Sequence, residues 1–442
     1  MWRTSLSVRL GGWGVSLELR NWVNSGLMTL FFFVVGLEAR REFDLGELRE
    51  RRRVALPVLA GAGGMLLPIG IYLAANGGHP SAHGWGVAMS TDTAFALGLL
   101  SLVGRRAPDR LRTFILTASV VDDLVGIAVI ATVYSAQIEM PALMVAIGIA
   151  VLILLVRAAR IRSGPVYALL GVAAWVALLE SGVEPVVIGL AMGLLTFAYP
   201  AARGDLERAT SLFRLFREQP TPELAASARG GLVTAISPND RLQQLYHPWT
   251  AYLIVPLFAL SNAGVAIDAA FLSRAYSSPI TLGILFGYLA GKPLGIAGSA
   301  WLSSRLSRGR VRPPVGWAAV AGGGCIAGIG FTVSLLIATL AFRGEQLEQA
   351  KVGVLSAALL AAGATWVIFR VTALLPPRLR YRALLGTSEL VTDLAVPVDP
   401  DRDHIRGAEG RAGHARRVRR LPVPLLRPSG GGRARIAACV RR

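Results

Sequence analysis

Two adjacent aspartates, Asp122 and Asp123, lie in the middle of the stretch 113–137, which contains no other charged side chain. A helix needs about 20 apolar residues to cross a bilayer, and this stretch is long enough. One carboxylate at the bilayer centre costs from about 3 to more than 10 kcal/mol. Helix packing alone does not require such a pair. The two aspartates therefore predict a site inside the membrane that binds a cation or a proton.

The remaining chain is also typical of a membrane protein, because 53% of it is hydrophobic and only 17% is charged, against about 25% charged in a soluble domain. Apolar stretches recur along nearly its whole length. They predict eleven transmembrane helices, near 21–37, 54–75, 85–104, 113–136, 140–156, 165–180, 183–199, 246–268, 279–302, 314–342 and 352–375. The predicted fold class is therefore an all-α membrane protein.

Three segments divide the chain. In residues 1–20 apolar side chains alternate on both sides of Gly11-Gly12, which predicts a short β-hairpin. Residues 21–375 form the predicted transmembrane domain. Residues 376–442 form a predicted tail, largely disordered because its end is rich in Arg, Pro, Gly and Ala without periodicity.

The loops between the predicted spans alternate in charge, and Arg-rich loops follow every second span. By the positive-inside rule the Arg-rich loops and the C-terminus are cytoplasmic, and the N-terminus is external. An external N-terminus without a recognisable signal suggests that a preceding span is missing from the chain. Loop and tail arginines account for much of the net charge of +19, so this charge does not indicate nucleic-acid binding.

Two further polar sites interrupt the apolar stretches. Thr91 and Asp92 lie in the middle of the third predicted span, where Asp92 can cap a helix that starts at Ala94. A helix broken at that depth also exposes backbone groups from which transporters build ion sites. Lys292 is one of only two lysines in the chain, and apolar residues flank it on both sides. Unlike an arginine, a buried lysine can lose its proton, so Lys292 is a candidate partner for one aspartate.

Five glycines in the tenth predicted span favour a second broken helix. Gly322, Gly323, Gly324, Gly328 and Gly330 fall within nine residues, which makes a continuous helix unfavourable. Tight packing of neighbouring helices through small residues is the alternative. Two interrupted spans in separate parts of a chain are typical of a binding site between inverted repeats.

Long segments of the chain resemble the NhaA-type sodium/proton antiporters. They are FFFVVGLEARRE (31–42), STDTAFALGLLSLVGRRAP (90–108), VVDDLVGI (120–127), HPWTAYLIVPLFALSNAGV (247–265), GKPLGI (291–296) and CIAGIGFTVS (325–334). The resemblance covers about residues 4–375. It implies a fold of twelve spans with inverted repeats and two broken helices, of which the first span is absent here, in a bacterial inner or plasma membrane.

The resemblance implies roles for individual residues. Asp123 matches the residue that binds Na⁺ or Li⁺ and exchanges it for protons, and Asp122 matches its neighbour, which pairs with the intramembrane lysine, here Lys292. Thr91 and Asp92 match residues of the broken helix that support the ion site. Family members expel sodium at the expense of the proton gradient, need no cofactor and are not enzymes. They dimerise through the external hairpin, which residues 4–19 match.

The resemblance also implies a pH-responsive region, here Glu38, Arg41, Glu42 and His247. Gln243 and Gln244 replace a Glu and a His of the family pattern, and Glu184 stands where a His is expected, so we expect alkaline activation to be lost or its set point to be moved. The segment 394–407 resembles a junction to a thioredoxin-like domain in some relatives. No Cys-x-x-Cys follows it, which suggests that a frameshift or truncation replaced that domain.

Other functions fit the same residues less well. An intramembrane aspartyl protease would need a Gly-x-Gly-Asp pattern, but Ser-Thr precedes Asp92. A retinal protein could use Lys292, although Pro293 and eleven spans argue against it. A basic binding protein would act through the Arg-rich tail. A sodium-coupled organic-anion carrier of related fold is the nearest alternative, and would need a larger pocket.

Overall fold

In a computed structural model of the chain, a two-stranded N-terminal hairpin is followed along the sequence by helices. It describes residues 2–10, 13–46, 48, 51–103, 108–135, 138–159, 161, 163–199, 202–265, 268–307, 313 and 315–386. The predicted tail from Thr387 onward and parts of the Arg-rich loops lie outside these residues, as does the predicted turn Gly11-Gly12.

The N-terminal hairpin has the predicted alternation. Strand β1 (Ser5–Leu10) pairs antiparallel with β2 (Trp13–Glu18), with Leu6 opposite Leu17 and Val8 opposite Val15. The first helix, α1 (Leu19–Asp44), follows without a loop. The Trp22 indole nitrogen donates to the Leu6 carbonyl oxygen at 2.9 Å and so ties the hairpin to this helix.

The first half of the helical domain contains α1 and the elements up to residue 195. They are α2 (Arg51–Asn76), the 3₁₀ helix Pro80–Ala88, α3 (Thr93–Val103), α4 (Asp109–Val133), α5 (Met140–Ala158), α6 (Gly164–Ser181) and α7 (Val186–Leu195). Proline at the first turn starts α5 and α6, where its missing N–H is not needed. Gly182, at a φ of 78°, ends α6.

The second half begins with the amphipathic helix α8 (Arg203–Glu218), followed by α9 (Pro222–Ala235). A continuous helical run over 238–262, α10, contains a π-helical turn at Thr250–Ile254. The remaining helices are α11 (Ala269–Ser277), α12 (Pro279–Leu306), α13 (Trp317–Ala327), α14 (Thr332–Ala341), α15 (Gly344–Leu374) and α16 (Pro377–Leu385). Helix α16 lies beyond the predicted domain boundary at 375.

The all-α membrane fold is confirmed. Within the described residues, seven helices are long and apolar enough to cross a membrane, and two helix pairs, bent by 51° and 42°, are long and apolar enough when each pair is taken as one span. The shorter apolar helix α7 and the run α10 occupy the other two predicted spans. The bends lie between the 3₁₀ helix and α3, and between α13 and α14, so both predicted breaks are present.

The prediction for three of the glycines is wrong. Gly322, Gly323 and Gly324 lie inside α13, and the second break falls at 328–331. These three glycines serve close packing instead: a Cβ at Gly324 would lie 2.7 Å from Pro293 Cα, and one at Gly322 would lie 3.0 Å from the Phe369 ring. Tertiary contacts therefore outweigh the low helix propensity of glycine. Gly328 and Gly330 do lie at the break, as predicted.

Helices α1 and α7 approach so closely that only glycine fits between them. A Cβ at Gly36 would lie 2.5 Å from the Leu190 carbonyl oxygen, and one at Gly189 would overlap the Thr29 carbonyl. Helix α2 packs on α4 and α12, and α15 packs on α12 and α13. These contacts place the two broken helices between α4 and α12, which carry Asp122, Asp123 and Lys292.

Candidate functional site: a buried charged cluster at two crossed broken helices

The two helix breaks cross each other near Asp92. The backbone N–H of Asp92 donates to the Ile329 carbonyl oxygen at 2.8 Å, although 237 positions separate these residues in the sequence (329 − 92). Helices α3 and α14 both begin at this crossing, so both present unpaired backbone N–H groups there. Asp92 is buried between them.

The Asp92 carboxylate caps both helices at once. Its Oδ1 atom accepts from the Phe95 N–H at 3.2 Å, within α3. Its Oδ2 atom accepts from the Thr332 N–H at 3.1 Å and from the Thr332 hydroxyl at 2.7 Å, at the start of α14. A negative charge near two helix N-termini is favourable because of the helix dipoles. The capping role predicted for Asp92 is therefore present, and it extends to a second helix.

Lys292 and Asp122 form a buried ion pair next to this crossing. The Lys292 ammonium donates to Asp122 Oδ2 at 2.7 Å and to the Thr91 hydroxyl oxygen at 2.9 Å. Its side chain is 0% exposed and that of Asp122 is 5% exposed. The Thr91 hydroxyl donates to Asp122 Oδ2 at 2.8 Å and also approaches the Ala327 carbonyl oxygen at the end of α13. Thr91 thus links the ion pair to both broken helices.

Asp123 is buried and has fewer hydrogen bonds than its neighbours. The only bond that reaches it from the described residues comes from the Thr93 hydroxyl, at a long 3.4 Å to Oδ2. Successive helix residues point about 100° apart, so Asp122 turns toward Lys292 while Asp123 takes another direction. The structure therefore places Asp92, Thr91, Asp122, Asp123 and Lys292 in one cluster.

A cavity of about 260 Å³ opens on the α3 and α4 side of the crossing. Leu97 and Ser101 line it from α3, on the helical face of Thr93. Thr113 and Leu116 line it from α4, on the helical face of Asp123. Glu42 and Arg112 add charged groups to its wall.

The predicted pH-responsive residues lie on α1 and α10. Glu38 lies close enough to Asp123 to interact with it electrostatically, and Glu42 lines the cavity. The Arg41 guanidinium lies 3.5 Å from the Asp240 carboxylate, which joins α1 to α10. Gln243 donates to the Asn239 side chain, whose amide donates in turn to the Leu37 carbonyl oxygen. The side chain of His247 is exposed. In the loop between α6 and α7, burial raises the pKa of Glu184 to about 7.

Several partners were not predicted from the sequence. Thr332, which binds Asp92, is a hydroxyl residue of a kind common in any helix. Tyr288 is fully buried and donates to the Val87 carbonyl oxygen at 2.5 Å, and it also contacts the Ser334 hydroxyl. Asn24 and Asn262 form a reciprocal pair of amide hydrogen bonds between α1 and α10. Polar side chains inside apolar stretches were the available signal for these residues.

Two interrupted helices that cross beside a buried lysine–aspartate pair define a class of multi-span membrane protein with a charged centre. The family model described as "Na+/H+ antiporter 1" matches residues 1–369. The chain belongs to this family.

Individual relatives agree with this assignment. The chain is similar to Na(+)/H(+) antiporter NhaA 1 of Salinispora arenicola, with 62% identity, and to NhaA 3 of Salinispora tropica, with 61% identity, each over 92% of the chain. NhaA 1 of Mycolicibacterium vanbaalenii is 41% identical over 91% of the chain. The chain spans 62% of the length of both Salinispora relatives and 64% of that of the Mycolicibacterium protein.

Proposed function

We propose that this protein is a secondary active antiporter that exchanges internal Na⁺ or Li⁺ for external H⁺ by alternating access. Sodium extrusion and control of internal pH would follow from this exchange. Membership of the sodium/proton antiporter family supports the reaction class. The observation that carries the proposal is the unequal hydrogen bonding of the three buried aspartates.

Of the three aspartates, Asp123 is the one that an incoming ion can bind with the smallest loss of existing hydrogen bonds. Both oxygens of Asp92 hold helix caps, and Asp122 Oδ2 holds Lys292 and Thr91. Asp123 would give up only the long bond to Thr93. In this mechanism Asp123 binds Na⁺ or a proton in turn, and Asp122 contributes to the same site when its bond to Lys292 loosens.

The cavity beside α3 and α4 supports a route to Asp123. Its lining residues Ser101, Leu97, Thr113 and Leu116 continue along helical faces toward Thr93 and Asp123. If the Arg-rich loops are cytoplasmic, this cavity faces the cytoplasm. The space next to the ion pair is only about 10 Å³, which argues against an organic anion there, since pockets for organic ligands measure about 300–1,000 Å³.

The deciding experiment is sodium-dependent proton flux in everted membrane vesicles that contain the chain or its Asp123→Asn variant. Asp109→Asn is the matched control, because Asp109 lies at the exposed start of the same helix. We expect flux from the parent and the control and none from Asp123→Asn, at equal amounts of protein in the membrane. Flux that survives in Asp123→Asn would refute the assignment of this carboxylate.

The N-terminal hairpin is the surface through which we propose that two copies associate. Leu6 and Val8 are 49% and 50% exposed on a two-stranded sheet, and a hairpin of this size is only marginally stable alone. A disulfide between two Leu6→Cys copies in membranes would support the dimer. Equal cross-linking of a cysteine at Leu359, an exposed residue of α15, would indicate random collision.

The candidate pH-responsive contact is the Arg41–Asp240 pair between α1 and α10, together with Glu38, Glu42 and His247.

We also propose a multi-pass protein of the bacterial plasma membrane with a cytoplasmic C-terminus. Labelling of single cysteines in intact cells tests on which side of the membrane each loop lies. A cysteine in the loop 77–79 would react from outside, and one in α8 would not.

A further inference from the structure

The Asp122 carboxylate has a second oxygen atom that neither Lys292 nor Thr91 contacts. Both of these residues bind Asp122 through its Oδ2 atom. No hydrogen-bond donor among the described residues reaches the other oxygen, Oδ1, which is buried. A buried acceptor on a charged group that receives no donor is costly. This unpartnered oxygen therefore points to a ligand.

A small cavity lies beside this oxygen. Its volume of about 10 Å³ matches the space that one water molecule requires, about 10–15 Å³. Asp122, Ser119 and Thr91 provide its polar lining, and most of the remaining wall is apolar. A buried water needs two to four polar partners, and this lining can supply them.

Gly61 of α2 creates the space. A Cβ at this position would lie 3.4 Å from Asp122 Oδ1 and 3.3 Å from the Ala118 carbonyl oxygen. Two hydrogen-bond acceptors thus border the same point, and a single water can donate one hydrogen to each of them. Any side chain at Gly61 would enter this space.

We propose that this cavity is a binding site for one structural water, which donates to Asp122 Oδ1 and holds the carboxylate in the orientation that keeps Oδ2 on Lys292. A second cation does not suit the site, because the Lys292 ammonium already lies 2.7 Å from the same carboxylate and would repel it. Gly61 is then a positioning residue for the ion pair.

Three variants separate a lost hydrogen bond from simple crowding. Gly61→Ala fills the space without supplying a donor, whereas Gly61→Ser supplies a hydroxyl that can reach Oδ1 in place of the water. Gly70→Ala is the matched control on the same helix, because a Cβ there meets no atom within 4 Å. Serine is larger than alanine, so crowding predicts that Gly61→Ser is the worse variant. Replacement of the water predicts that it is the better one.

The first measurement is a density map of the parent and of Gly61→Ala, in a sodium-free buffer, at a resolution where other buried waters are visible. We expect a peak within hydrogen-bond distance of Asp122 Oδ1 in the parent and none in Gly61→Ala. No peak in the parent, or a peak that appears only when sodium is added, would overturn the proposal. This measurement does not depend on the transport activity, and the parent map decides the question even if Gly61→Ala fails to fold.

The second measurement rests on the proposed antiport function. Sodium-dependent proton flux should fall roughly tenfold in Gly61→Ala, as expected for one lost hydrogen bond to a charged group, and should recover in Gly61→Ser and stay at the parent level in Gly70→Ala. Flux from Gly61→Ser at or below that of Gly61→Ala would overturn the positioning role of the water. Absence of flux in the parent itself would count against the proposed function and leave the density result standing.

Discussion

Removal of the Lys292 ammonium should destabilise the protein more than removal of the ammonium of Lys351, the other lysine of the chain. In Lys292→Met the apolar volume is nearly preserved, but the Asp122 carboxylate, 5% exposed, loses the cation 2.7 Å away. Breaking a buried ion pair from one side costs about 3–5 kcal/mol, because an uncompensated charge remains buried. Bulk solvent does not compensate this loss, because the Lys292 and Asp122 side chains are 0% and 5% exposed.

Lys351 provides the matched control. Its ammonium lies 2.9 Å from the Glu348 carboxylate, which is 32% exposed and can be solvated after the lysine is removed. Lys351→Met should therefore cost only about 2 kcal/mol, the usual value of two hydrogen bonds, here to Glu348 and to the Gly264 carbonyl oxygen. Both lysine variants remove one positive charge and the hydrogen bonds that it donates, so their difference reports on the burial of the carboxylate partner.

A double-mutant cycle makes the prediction quantitative. Asp122→Asn combined with Lys292→Met leaves no buried charge in the pair, so its loss of stability should be smaller than the sum of the single losses by more than about 1 kcal/mol. Unfolding in mixed micelles with increasing denaturant, followed by tryptophan fluorescence, measures all four proteins. Additive losses, or equal losses for Lys292→Met and Lys351→Met, would refute the reasoning.

Three further outcomes are expected. Asp92→Ala removes the caps of α3 and α14 together and should cost at least about 2 kcal/mol, since one cap contributes about 1 kcal/mol; a loss of stability no larger than that of Asp109→Ala would contradict this. Gly189→Ala should destabilise by about 1–3 kcal/mol through overpacking against Thr29, whereas Gly148→Ala, in open space on α5, should stabilise by up to about 1 kcal/mol in the same unfolding assay, because alanine has the higher helix propensity. Burial raises the pKa of Glu184 from 4.5 to about 7, so the folded state binds this proton more tightly than the unfolded state does. Stability should therefore fall as the pH rises from about 4.5 to 7, and Glu184→Gln should remove that part of the fall; an unchanged pH profile would mean that the carboxyl is solvated.

Much of the site could be predicted from the sequence because charge in an apolar stretch is visible without a structure. Asp92, Asp122, Asp123 and Lys292 stand out in this way, and the break at Thr91-Asp92 follows from polar residues in the middle of a span. The hairpin was equally accessible, because alternation around Gly11-Gly12 is a local pattern.

The contacts between these residues were decided by the tertiary structure. Asp92 caps a helix that starts 240 positions later, at Thr332, and the Asp122–Lys292 pair joins residues 170 positions apart. Local spacing does not encode such distances, because they depend on how α3, α4, α12 and α14 pack around one another. The same packing keeps Gly322, Gly323 and Gly324 helical against their low intrinsic propensity. The sequence by itself determined that Asp92, Asp122, Asp123 and Lys292 are buried and that one span breaks at Thr91-Asp92. Only the close packing of helices that are distant in the sequence decided which of these side chains contact one another. The same packing leaves Asp122 Oδ1 beside a cavity the size of one water.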